Sequence, residues 1–195
     1  SRARREAADR LEGELEPLLE ELGMEGARFE VALEPLEEPG AHGAESVEFR
    51  VSLNPGFEPG PVSRIASGGE LSRVMLALKT VLARVDEVPS LVFDEIDAGV
   101  GGRVGHRVAE KLAAVAEEHQ VFVITHLPQI AARAAAHFRV EKRSLEGRAA
   151  TDVERLDGDA RVTELARMLG GDSESGVSRE HARELLEGGG AVTPG

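Results

Sequence analysis

A chain of 195 residues with 41% hydrophobic content is long enough to bury a core of its own. Its 23 Lys and Arg against 36 Asp and Glu give a formal net charge of −13, which repels nucleic-acid phosphates on average, and six Phe with no Trp or Tyr leave few platforms for base stacking. The absence of cysteine excludes disulfides and thiolate metal sites, and with no long apolar run or signal peptide the default expectation is a soluble cytoplasmic protein.

Residues 3–22 carry Ala3, Ala7, Leu11, Leu15, Leu18 and Leu22 at helical spacing, with Pro17 expected to kink or restart the helix. The chain opens inside this pattern, at Ser1-Arg2-Ala3-Arg4-Arg5, as a cut piece would. Residues 27–34 and 46–53 alternate apolar and polar, through Phe29, Val31 and Leu33 and then Val47, Phe49, Val51 and Leu53. They predict two antiparallel strands joined by the Gly- and Pro-rich stretch 35–45. Asn54-Pro55-Gly56 and the prolines at 59 and 61 predict a loop.

That loop leads into Ser67-Gly68-Gly69-Glu70-Leu71-Ser72-Arg73-Val74. Ser67 is placed to cap a helix and Glu70 follows three residues later, as in a capping box. Exposed N–H groups at such a helix start suit a phosphate, and an ordinary capped helix fits the same residues. Leu71, Val74, Met75, Leu78, Val81, Leu82 and Val85 form the apolar stripe that follows. Arg64 and Arg73 flank the turn and could add positive charge there, though a solvated arginine on a loop or helix face fits both better.

Leu91-Val92-Phe93-Asp94-Glu95-Ile96-Asp97 is a short apolar run ending in carboxylates, and Val121-Phe122-Val123-Ile124-Thr125-His126 is a second run ending in a polar pair. Each reads as a buried parallel strand, and ligands of open α/β sheets gather at such strand ends. Between them, Gly99-Val100-Gly101-Gly102 reads as a flexible turn before a helix with Val104, Val108, Leu112 and Val115 on one face. After His126, Pro128 opens a short helix through Ala135. Residues 137–143 and 149–156 predict a hairpin around Glu146-Gly147, and 161–169 and 178–187 predict two closing helices. Gly188-Gly189-Gly190 begins a tail expected to be disordered.

Taken in order, SGGELSR, LVFDEIDAGVGG and ITHLPQIA resemble the signature motif, the Walker B strand with its D-loop, and the switch-histidine loop of ABC-type ATPase heads. The THLPQIA stretch and Glu164-Leu165-Ala166-Arg167-Met168-Leu169-Gly170-Gly171, with Glu48-Phe49-Arg50-Val51 and Asn54-Pro55-Gly56, resemble the RecN family of bacterial SMC-like proteins of DNA double-strand-break repair and recombination. The likeness runs from the first helix to about Leu186. It implies an α/β fold, the C-terminal lobe of an ABC/SMC-type head, with a parallel sheet core, antiparallel strands and flanking helices. Residues 1–22 would then be the end of a coiled-coil helix entering the head, 23–187 the lobe, and 188–195 the tail.

The resemblance also implies roles. Asp94 would hold Mg²⁺ through water, and Glu95 would be the general base. His126 would contact the γ-phosphate of ATP, and Asp97 would stand in the D-loop at a dimer interface. Ser67, Gly68, Gly69 and Glu70 would serve in trans, toward a nucleotide held by a second head. One part of that kit is missing. Lys79, Lys111 and Lys142 follow Leu78, Glu110 and Glu141, so no Gly-Lys pair of a Walker A loop exists. In SMC-like proteins that half lies at the far end of a long coiled coil. The implied partners are therefore the N-terminal Walker A half of the same protein, a second head in an ATP-dependent dimer, and DNA met through the complete protein, at the nucleoid in the cytoplasm. The chain alone is expected to be inactive. The competing reading is a head-dimerisation or partner-binding module of another SMC/Rad50-like protein, without hydrolysis. No H-E-x-x-H occurs, so a zinc protease has no support.

Overall fold

The structure, a computed structural model, describes residues 1–145, 148–170 and 175–189. They fall into two units, residues 1–124 and 125–195.

The first unit opens with helix α1, Arg2–Glu21, which runs through Pro17 as one element. Its buried residues are Ala8, Leu15 and Leu19, with Leu22 buried at the cap. Of the stripe expected from sequence, Ala3 and Ala7 are exposed and Leu18 is half-buried. The buried line follows spacings of seven, four and three residues, so it slants across the helix from the one that spacing by fours picks out.

Strands β1, Arg28–Gly40, and β2, Gly43–Ser52, pair antiparallel, with Phe29 opposite Val51, Val31 opposite Phe49 and Leu33 opposite Val47. The two strands are longer than expected. They extend into the 35–45 stretch, where the register shifts between Pro35 and Gly40. A bulge absorbs the prolines, which supply no ladder donor, without ending the pair. Phe29 and Phe49 set their rings 5.6 Å apart at 47°. Glu12 of α1 accepts a hydrogen bond from the Val31 N–H at 2.7 Å, tying helix to hairpin. A two-residue strand, β3 (Gly60–Pro61), adds to β2, and a short 3₁₀ turn at Val62–Arg64 follows.

Helix α2 spans Gly68–Leu82 and buries Val74, Leu76, Ala77 and Leu78. Val85 lies beyond its end and is exposed, so the stripe stops one turn earlier than the sequence pattern. Strands β4, Ser90–Phe93, and β5, Gln120–Val123, pair in parallel, with Val92 opposite Phe122 and Phe93 opposite Val123. Helix α3, Gly102–Val115, connects them and buries Val108, Leu112 and Val115. The expectation of strands buried on both sides is corrected here. Phe93 is buried, whereas Val92 is 68%, Phe122 51% and Ile124 61% exposed. Alternate side chains of a strand take opposite faces, and within this unit only one face of the pair is covered.

The second unit holds α4 (Pro128–Arg133), the antiparallel pair β6 (His137–Leu145) and β7 (Arg148–Leu156), α5 (Gly158–Met168) and α6 (Gly176–Gly189). Ala131, Ala132, Val162, Leu165, Ala166 and Ala182 form its core. The Arg161 guanidinium donates to the carbonyls of Ala131, Ala132 and Ala134 at 3.0, 3.1 and 2.6 Å, tying α5 to the end of α4. The expected turn at Glu146-Gly147, and Gly171 of the last motif, lie outside the described residues. Helix α6 runs to Gly189, two residues into the stretch expected to be disordered, and residues from 190 on lie outside the description.

Candidate nucleotide-facing site

The first unit gathers Ser67, Gly68, Gly69, Glu70, Asp94, Glu95 and Asp97 where α2 begins and β4 ends. Chain direction explains the meeting. A helix followed by a strand that runs back along it brings the helix N-terminus beside the strand C-terminus. The Ser67 hydroxyl accepts from the Glu70 N–H at 3.4 Å, the N-cap half of the anticipated capping box.

The two glycines are where the segments touch. A Cβ on Gly68 would collide with Oε2 of Glu95. A Cβ on Gly69 would stand 2.8 Å from the Glu95 carbonyl oxygen and 2.9 Å from the Ala98 Cβ. Glycine at 69 thus permits a backbone approach that any side chain would block.

Glu95 has φ +56°, a left-handed conformation that residues other than glycine adopt at a cost of about 1–3 kcal/mol. Its N–H donates to Asp94 Oδ1 at 2.8 Å, and its carbonyl accepts from the Ala98 N–H at 2.9 Å, closing a turn over 95–98. Asp94 and Glu95 are exposed, while Asp97 is 3% exposed.

Sequence reading missed two residues of this site. Ser72 donates to the Asp94 carbonyl at 2.8 Å. Arg73, read from sequence as solvated, is buried at 6% exposure, and its Nη1 donates to the carbonyls of Ile96 at 3.3 Å and Ala98 at 3.0 Å. Burial holds its guanidinium below the usual arginine range, with the nearby Glu70 charge opposing that shift. A signal was available: Gly69, Arg73, Leu76 and Ala77 follow the spacing of one helix face, and all are buried. Arg64 is exposed, as expected.

His126 is an exposed residue of the second unit, where Thr125 Oγ1 accepts from the Leu127 N–H at 3.0 Å and Pro128 starts α4. Among the described residues no three His, Asp or Glu side chains gather as a metal site. Asp94 stands exposed at the end of β4, which suits a hard cation that keeps most of its waters and takes one or two carboxylates beside phosphate oxygens. Among the described residues no helix is long and apolar enough to cross a membrane.

Comparison with known proteins bears on this arrangement. The chain is 53% identical over 186 residues to the DNA repair protein RecN of Deinococcus radiodurans, covering 95% of this chain and 32% of that protein. It is 47% identical over 192 residues to RecN of Treponema pallidum, covering 95% of this chain and 34% of that one. No protein-family model matches the chain. Among solved structures, an Smc head domain with a coiled coil and joint from Pyrococcus yayanosii superposes with a TM-score of 0.55 at 23% identity, over 91% of this chain and 28% of that one. The fold is that of an SMC head lobe, and the resemblance to RecN is shown over nearly the whole chain. The chain spans about a third of the length of the curated relatives it matches.

Proposed function

We propose that this chain is the signature-bearing lobe of an ATPase head in a RecN-like DNA repair protein, hydrolysing the β–γ phosphoanhydride of ATP once a Walker A half completes the site. The observation that carries this reading is the joining of the Ser67–Glu70 turn to the Asp94–Asp97 segment at one end of the parallel strand pair. The bare face at Val92, Phe122 and Ile124 supports it, since further chain packed there would give the strands the cover that parallel sheets have.

Asp94 is the residue of this chain that would hold Mg²⁺, through water. Bound Mg²⁺ supplies neutralisation of the charge that develops on the phosphate oxygens. Glu95 orients the attacking water and accepts its proton. His126 contacts the γ-phosphate. The N–H groups at Ser67, Gly68 and Gly69 serve a nucleotide held by the opposite head, with Glu70 in the same turn, and Asp97 stands at the interface between heads. With a net charge of −13, this lobe is not the main DNA contact; DNA is met by the complete protein at the nucleoid. Residues 1–22 serve as the end of a coiled-coil helix.

The test is ATP turnover by a head reconstituted from this chain and a Walker A half, with Glu95→Gln as control. Turnover that needs both parts and disappears in Glu95→Gln supports the reading. A reconstituted head that dimerises with ATP but never hydrolyses it would make this a docking module instead. Substantial turnover by this chain alone, abolished by Glu95→Gln, would overturn the division of the site between two halves.

A further inference from the structure

The structure assigns Ser72 and Arg73 to a clamp that fixes the acidic segment 94–98 to the signature helix, making them positioning residues for Glu95 and Asp97. The inference rests on the ATPase reading above.

Three carbonyls along this segment are held by two consecutive side chains of α2: Asp94 by Ser72, and Ile96 and Ala98 by Arg73. The residues between them are Glu95, the base proposed above, and Asp97, the residue proposed to stand at the interface between heads. Gly69 completes the contact by letting the Glu95 carbonyl and the Ala98 methyl approach α2. Arg73 is an expensive way to fill this space. A buried guanidinium carries a desolvation cost, and here its Nε is buried without a hydrogen-bond partner. An apolar residue would pack α2 without that cost but would leave two loop carbonyls unheld. The charged donor therefore fixes the loop more than it stabilises the helix. Signature and acidic loop form one block, so a shift of the helix start on meeting a phosphate is delivered to Glu95.

The test compares Ser72→Ala, Arg73→Lys and Arg73→Met in the reconstituted head and in this chain alone. In the head, Arg73→Met lowers kcat by about ten- to hundredfold, the scale on which misplacing a reacting group acts, with the KM for ATP within about twofold. Arg73→Lys, which keeps charge and donors on a shorter reach, recovers part of the loss. In this chain alone, amide exchange at Ala98 and Val100, whose N–H groups bond to Glu95 and Asp97, speeds by about tenfold in Ser72→Ala and Arg73→Lys, with the melting temperature unchanged. Should Arg73→Met fail to fold, those two milder variants carry the test.

Turnover and loop exchange that match the parent in folded variants would overturn the clamp. So would losses of turnover that only track a falling melting temperature. A parent head without turnover would sink the ATPase reading instead, and the exchange experiment would still decide whether the clamp exists.

Discussion

The carboxylate of Glu95 occupies the space that a side chain at Gly68 would need. The general base proposed for the reaction and the first glycine of the signature turn thus exclude one another's volume within one chain.

The neighbouring glycines consequently differ in what alanine does to them. At Gly68 the obstacle is the far end of a flexible carboxylate, which swings aside. Gly68→Ala, at the first position of α2, leaves the stability of the chain nearly unchanged and lowers turnover of the complete head by displacing Glu95. At Gly69 the obstacles are a backbone carbonyl and the Ala98 methyl, so Gly69→Ala costs about 1–3 kcal/mol from overpacking. Urea unfolding of the two variants separates them; equal stability losses would contradict the geometry.

Glu95→Gln keeps the shape of the side chain but removes its ability to accept a proton. In the complete head it retains ATP binding and stalls hydrolysis, trapping the ATP-bound dimer. Light scattering with ATP checks this, and lost nucleotide binding would count against the assignment.

Ser67→Arg places a bulky cation at the N-cap, where a phosphate would approach. Affinity of one head for ATP survives and ATP-dependent dimerisation fails. With Glu95→Gln present to prevent turnover, dimers forming as in the parent would reduce this helix start to a cap.

The second unit carries a pH dependence of its own. Burial, helped by the Arg161 charge and opposed by Glu164, lowers the pKa of His137 below its usual 6.5. Hydrogen bonding to the Arg167 guanidinium, with help from the Arg167, Arg139 and His137 charges, lowers Glu164 from 4.5 against desolvation. Between 6.5 and the folded-state pKa of His137, the unfolded chain binds more protons than the folded one. Stability from this group is therefore full above 6.5 and declines as pH falls toward that folded value. The Glu164 contribution is full above 4.5 and is lost as pH falls through its own lowered pKa. Denaturant unfolding across pH 7 to 3, followed by a probe in this unit, shows two zones of loss. His137→Gln removes the upper one and leaves the lower, and an unchanged upper zone would show that His137 is not its source.

The turn and the acidic strand end were legible because their signals are local. Two glycines after a capping serine mark a helix start, and an apolar run broken by Asp94 and Glu95 marks a strand end, whatever surrounds them. Arg73 was not legible in that way. A charged side chain next to an apolar stripe reads as solvated until the carbonyls of Ile96 and Ala98, more than twenty positions along the chain, come into range. The face of α1 was misplaced because Ala7 and Ala8 are equally apolar, and only the packed partner decides which is covered. The half-bare strand pair was illegible for another reason: hydrophobicity records that a face is apolar and does not record whether this unit covers it.

The left-handed backbone at Glu95 bears on how this site ages in evolution. Glycine, and to a lesser degree asparagine, fits that conformation with less strain, so selection for stability alone pulls position 95 away from glutamate. If Glu95 is the base proposed above, glutamate is kept there only while hydrolysis is under selection. In a lineage released from that demand, position 95 drifts to glycine or asparagine early, while the packed Gly69, which benefits folding regardless of chemistry, persists.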